Sequence, residues 1–162
     1  MERCFLLSLS VDLHVQSSRK AREKAVGGTT SGLIRAGEKV TWSGRHFGLR
    51  LSHTSLIDAW RPYTYFRNTM TEGHFAHFEH EHHFAPMNDG TRMRDEIRFD
   101  PPFSIFGRLL QGRLRNHLRR ILTERNARLK LVAESEEWHT YLDGQPPLDL
   151  APRYVNPEQA RR

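Results

Sequence analysis

Two histidines one residue apart, His80 and His82, and a later aspartate, Asp95, are the residues of this sequence whose types and spacing are best suited to chemistry. An imidazole beside a carboxylate has the elements of general acid/base catalysis, because the carboxylate fixes the tautomer and favours the imidazolium. On a strand, His80 and His82 share one face while His77 and His83 fall on the other, so at most two imidazoles come together unaided. A catalytic metal would need a third ligand, Asp95 or His46. Three readings stay open at this point: a structural or ligand-orienting network, proton transfer by His80 or His82 with Asp95 as partner, and a metal. The network is preferred, so no metal and no cofactor is assigned. Buried polar groups left unpaired cost about 1–3 kcal/mol each. Asn68, Trp42 and His46, placed inward by the same alternation on neighbouring strands, are the available partners.

The element that must hold these residues is a meander of strands. From Glu38 the period is two for about sixty residues rich in Val, Trp, Tyr, Phe and Thr, which predicts strands over 38–47, 49–59, 63–71, 75–86 and 91–99. Gly48, Arg61-Pro62, Gly73 and Asn88-Asp89-Gly90 separate them. Connections this short favour antiparallel hairpins, since parallel pairing needs crossovers of a dozen or more residues. Taking Asp89-Gly90 as a two-residue turn pairs Asn88 with Thr91, and therefore His82 with Ile97, Phe84 with Asp95 and Glu81 with Arg98. One face then carries Phe78, His80, His82, Phe84, Met93, Asp95, Ile97 and Phe99. The other is charged or titratable throughout and faces solvent.

After Pro101-Pro102 the period lengthens. Phe106, Leu110, Leu114, Leu118, Ile121, Leu122, Leu129 and Val132 form an apolar stripe on a helix of roughly 28 residues, about 42 Å long. Its partner is the inner face of the meander, giving a helix laid on a curved sheet. Before the meander, residues 2–14 read as a short helix with Phe5, Leu6, Leu9 and Leu13 along one side. An irregular, basic and Gly-containing crossing follows, with a short strand at 24–26. Residues 1–133 therefore make one domain. Residues 134–162, with Pro146-Pro147, Pro152 and Pro157, read as a flexible tail whose only obvious anchors are Trp138, Tyr141 and Leu142.

Composition narrows the class further. The length of 162 residues suits a single domain. No stretch approaches the run of about 18 apolar residues that spans a membrane, so no membrane insertion is expected. Cys4 is the only cysteine, which excludes an internal disulfide and a Cys-rich zinc site, and with no leader apparent the cytoplasm is the expected location. The net charge of +6 raises the question of nucleic acid. Many of the arginines lie in the long helix, at 108, 113, 115, 119, 120, 125 and 128, where they read first as a solvated face, with a nucleic-acid or acidic-partner surface as the alternative. No phosphate loop, nucleophile elbow or paired-cysteine motif occurs.

The run Gly37-Glu38-Lys39-Val40-Thr41-Trp42 with Arg45-His46-Phe47-Gly48, then Thr54-Ser55-Leu56-Ile57, is followed by Phe75, Phe78, His80, His82 and Phe84 at their spacing. With Asp89-Gly90-Thr91-Arg92-Met93 and Asp95, and Arg119-Arg120-Ile121-Leu122 leading into Arg125-Asn126-Ala127 and Leu129-Lys130, the pattern resembles bacterial members of the SRPBCC superfamily. These are proteins of the START-like or helix-grip fold, here of the polyketide cyclase/dehydrase type, and the likeness runs over roughly residues 2–131. It implies an α+β fold in which a curved antiparallel sheet wraps a long C-terminal helix, with an apolar molecule such as a lipid or polyketide bound between them. Some family members cyclise or dehydrate their ligand there. For this chain it implies ligand contacts from Trp42, His46, Phe66, Asn68, Met70, Phe78, Phe84, Met93, Ile97, Phe106 and Leu110, with His80, His82 and Asp95 as orienting or catalytic groups. Family chains open on a strand, whereas this sequence opens inside what resembles the first helix. The first strand is therefore expected to be missing or to lie upstream, leaving a sheet edge through which the chain could self-associate.

Overall fold

The computed structural model describes residues 1–46, 48–101, 106–149 and 151–155, and of 106–110 the backbone alone. Phe47 and the side chains of Phe106 and Leu110 thus lie outside the described residues. The chain begins with two helices, α1 (Glu2–Leu9) and α2 (Val11–Ser17), where the apolar spacing predicts one. Ser10 makes the break: its backbone is extended and its Oγ accepts from the Leu13 amide at 3.2 Å, capping the second helix. A serine competes for backbone hydrogen bonds in just this way.

Six strands follow in sequential antiparallel order: β1 (Lys24–Gly28), β2 (Lys39–His46), β3 (Leu49–Arg61), β4 (Tyr65–Glu72), β5 (His77–Met87) and β6 (Gly90–Asp100). β1 and β6 are the two edges. The long helix α3 (Phe106–Ala133) has the 28 residues that its stripe predicts. At the start of the sheet, β1 bulges between Ala25 and Gly27, and Gly28 takes φ +68°. A Cβ there would stand 2.1 Å from the Lys39 carbonyl oxygen. Gly28→Ala is expected to lose about 2 kcal/mol or more in urea unfolding, from left-handed strain plus that clash. Wild-type stability in the variant would mean that β1 does not hold this bulge.

The β5–β6 hairpin departs from its expected register by two residues. Met87 pairs with Gly90, so Asn88-Asp89 is the turn, and His82 faces Asp95, His80 faces Ile97 and Phe84 faces Met93. None of Asn88, Asp89 and Gly90 has positive φ, so the mirror-image turn that an Asp-Gly pair favours is not formed. A shift of two keeps every side chain on its expected face, and it brings the imidazole of His82 directly across from the Asp95 carboxylate.

Phe5, fully buried, organises the main core. Its ring meets Trp60, Tyr63, Phe66 and Phe84 edge-on at centroid distances of 5.2–5.6 Å. A second cluster joins Leu7 and Leu13 to Leu129 and Val132 in the last turns of α3. The close backbone neighbours of α3 are α1, α2 and a 3₁₀ turn at Glu136–Trp138, rather than the strands. The two short helices thus occupy the space between the sheet and the back half of α3.

The segment expected as a tail folds back onto this core. Tyr141, in α4 (His139–Leu142), is buried in the second cluster, and Leu142 and Leu148 pack against the main one. β7 (Arg153–Tyr154) pairs with Ala59 and Trp60 of β3, beyond the point where β2 begins. No helix among the described residues is long and apolar enough to cross a membrane.

Candidate functional site

The inner faces of β5 and β6 converge on the Asp95 carboxylate. His80 Nε2 donates to Oδ1 at 2.8 Å, and Asn126 Nδ2 from α3 donates to Oδ2 at 2.5 Å. His82 Nδ1 lies 2.8 Å from the same Oδ1, close but not in line for a good hydrogen bond, and Arg125 Nη1 stands 3.9 Å away. A carboxylate only accepts, so the proton of His80 sits on Nε2, and the amide donor of Asn68 facing His82 Nε2 puts the proton of His82 on Nδ1. His82 Nε2 thus accepts from Asn68 Nδ2 at 3.3 Å. The site is dry: the side chains of Asp95 and His82 are 4% and 1% exposed.

Burial decides which groups carry charge. It pushes the pKa of His80 below its ordinary value and that of His82 well below, outweighing the nearby carboxylate. It also acts to raise Asp95, but the His80 and His82 imidazoles and the cation of Arg125 hold that carboxyl far below the usual range. The arrangement is an ionised Asp95 between two neutral imidazoles, with a buried guanidinium that donates to the Ser8 carbonyl at 3.1 Å. Within this network His82 Nδ1, Arg125 Nη1 and Asn126 Oδ1 have no hydrogen-bond partner among the described residues.

His80, His82 and Asp95 also offer three ligand atoms within 4.8 Å of one another, the donor set of a small divalent metal. The guanidinium 3.9 Å from Asp95 opposes a second cation there. Glu81, His83 and Glu96 form a similar group on the outer face, where Arg94 and Arg98 pair with its carboxylates.

Beside the Asp95 network, between β6 and α3, lies a cavity of about 820 Å³. Asp95 and Asn126 border it. Ile97, Phe99, Leu118 and Leu122 give it apolar walls, and Gln111, Thr123, Arg98, Arg115 and Arg119 add polar and cationic ones. His77 and Asp100 complete the lining. Residues of both faces of β6 contribute because β6 is an edge strand and the cavity reaches round it.

Of the ligand contacts implied by the sequence, Ile97 and Asp95 border this cavity. Trp42, Phe66 and Phe84 pack in the main core, and Met70 is buried beside Gly73. Phe78 meets Phe75 and pairs with Phe99, while Met93 touches Cys4 and Ser8 through its sulfur. Asn68 serves His82. His46 belongs to another group: its Nδ1 is 3.2 Å from His117 Nε2, and its Nε2 is 4.0 Å from Glu23. Glu23, which no pattern in the sequence singles out, is buried and bonded to His14 at 2.8 Å, and His14 in turn lies against Trp42. Burial would raise the Glu23 carboxyl, but the His14 hydrogen bond and the surrounding imidazoles hold it down at about 2. The α3 partners of Asp95 carry one signal in the sequence, the Arg125-Asn126 pair within the family-like pattern.

A sheet curved over a long C-terminal helix, with short helices between them, defines the helix-grip class of α+β folds, also called Bet v 1-like. TTHA0849 from Thermus thermophilus shares this architecture at a TM-score of 0.63 and 19% identity, over 83% of this chain and 91% of that one. Ara h 8.0201 does so at 0.54 and 12%, over 79% and 89%. At such identities the likeness establishes the fold alone. No protein-family model and no curated protein matches the chain in sequence.

Proposed function

We propose that the protein binds a small amphipathic molecule, lipid- or polyketide-like, in the cavity between β6 and α3. The observation that carries this reading is the cavity itself. Its volume of about 820 Å³ falls in the range of small-molecule sites, and apolar walls and a polar floor at Asp95 and Asn126 meet in one space. The fold supports the reading, since helix-grip proteins commonly hold hydrophobic ligands in this position. The floor is preorganised: Asp95 is held by residues of β5 and α3, so a ligand hydroxyl or amide would meet groups already in place.

Nile red, a neutral dye that brightens in apolar surroundings, tests the cavity. One dye per chain is expected to bind, and Leu122→Trp, which fills the space from α3, is expected to weaken binding about tenfold or more. Unchanged dye affinity in a folded Leu122→Trp protein would place the binding elsewhere and overturn the reading. Native mass spectrometry of the purified protein, followed by organic extraction, would then identify the natural passenger.

A further inference from the structure

We infer that the ligand is an anionic amphiphile, a molecule with an apolar body and a carboxylate or phosphate head, whose head is held by Arg115 and Arg119 of α3. The inference deepens the cavity-binding reading and rests on it. Arg115 and Arg119 are four residues apart, so their side chains stand on the same face of the helix one turn from each other, and both line the cavity. Like charges at this spacing destabilise a helix unless something lies between them. Among the described residues neither has an ion-pair partner, whereas several charged residues around them do, and of the unpaired arginines of α3 these two line the cavity. Arg98 meets Glu79, Glu81 and Glu96, Arg125 meets Asp95, Arg128 meets Glu137, and Lys20 meets Glu124.

The carboxylates of the cavity do not remove this excess. Asp95 is already engaged by His80 and Asn126, with His82 Nδ1 2.8 Å away and Arg125 beside it, so its charge is spent on its own network. Asp100 is the other acid in the lining, one anion against two free guanidiniums. The walls sort by polarity along α3 as well. Leu118 and Leu122 are offset by three from Arg115 and Arg119, so the apolar and cationic rows run side by side on the helix. A guanidinium pair makes short, charge-assisted bonds to a carboxylate or phosphate and has no acceptor to offer a neutral or cationic head. An apolar tail against Ile97, Phe99, Leu118 and Leu122 with its acid between the two arginines satisfies both rows at once.

Displacement of Nile red by decanoate, decyl phosphate, decanol and decyltrimethylammonium separates the terms, because the four share a tail and differ in the head. Decanoate and decyl phosphate are expected to displace the dye at least about tenfold more tightly than decanol, and the ammonium compound more weakly than decanol. In the double variant Arg115→Gln/Arg119→Gln the advantage of the two acids should vanish while decanol is unaffected, and the preference should shrink as salt is added. Decanol equal to decanoate in the wild type would overturn the anionic assignment and leave the cavity reading standing. Absence of Nile red binding would overturn both. An oligonucleotide that binds through the same arginines without competition from decanoate would assign the face to a polyanion and likewise overturn the inference. Either arginine as the single variant Arg→Lys keeps charge but not the planar fork, and is expected to retain part of the preference.

Discussion

Asp95→Ala is expected to destabilise the fold by about 3–5 kcal/mol, the cost of leaving a buried cation without its counter-charge. The carboxylate, 4% exposed, is the anion that His80, His82, Asn126 and Arg125 share among the described residues, and without it Arg125 keeps only the Ser8 carbonyl and His82 only Asn68. Arg125 is the most sensitive. It is buried, its Nη1 already lacks a hydrogen bond, and water cannot reach it without opening the packing of α3 on α1. Asp95→Asn preserves shape and one acceptor and should cost less, about 2 kcal/mol. The double variant Asp95→Ala/Arg125→Met removes both charges, so part of the loss should return, giving a coupling of at least about 1 kcal/mol in a double-variant cycle. Urea unfolding followed by tryptophan fluorescence measures these variants and the single Arg125→Met that completes the cycle. A loss under about 1 kcal/mol in Asp95→Ala would mean that the network is hydrated and that Arg125 finds solvent.

The network shows which parts of a site a sequence discloses. Alternation places His80, His82 and Asp95 on one inner face, and that grouping withstands a register shift of two because faces depend only on parity. The turn differs from expectation because Asp-Gly favours a conformation with positive φ that Asn88-Asp89 does not need. Strand-to-strand neighbours are thus within reach of local patterns. Contacts between elements distant in sequence are not: Asn126 reaches Asp95 across 31 positions and Arg125 reaches Ser8 across 117, and only three-dimensional packing sets those pairs. The same limit explains why the aromatic residues of β2, β4 and β5 read as ligand contacts. Their inward direction is legible, whereas the insertion of Phe5 from α1 into the space they face is not. The arginines at 115 and 119 are exposed, as a solvated face requires, yet the cavity that they border arises from the open edge of β6. Anchoring of the C-terminal segment depends in the same way on a free stretch of β3 and on a pocket for Tyr141.

Acidification is expected to destabilise the protein before its carboxylates titrate. Burial lowers the pKa of His53, His80 and His82 in the folded chain, the last of them strongly. His80 and His82 face Asp95, Arg125, Asn126 and Asn68, while His53 senses Glu23, His14, His46 and His74. Below about pH 6.5 the unfolded chain takes up protons at these positions more readily than the folded chain, so stability is present above that pH and falls as pH drops. Each such histidine contributes a slope of at most about 1.4 kcal/mol per pH unit, reached where the unfolded chain is protonated and the folded one is not, and His82, the most strongly lowered, comes nearest to it. Set against about 5–15 kcal/mol of total stability, a measurable loss should set in as pH falls below about 6.5. Glu23 acts in the same direction lower down. Its folded pKa of about 2 lies below the ordinary 4.5, so its stabilisation is complete above 4.5 and disappears as pH falls toward 2. Urea midpoints from about pH 8 to 4.5 measure the slope directly, and His53→Gln should reduce it by about one proton. Stability that stays flat from about pH 7 to 5 would show that the buried imidazoles carry charge in the folded state, and the neutral pair around Asp95 would have to be abandoned.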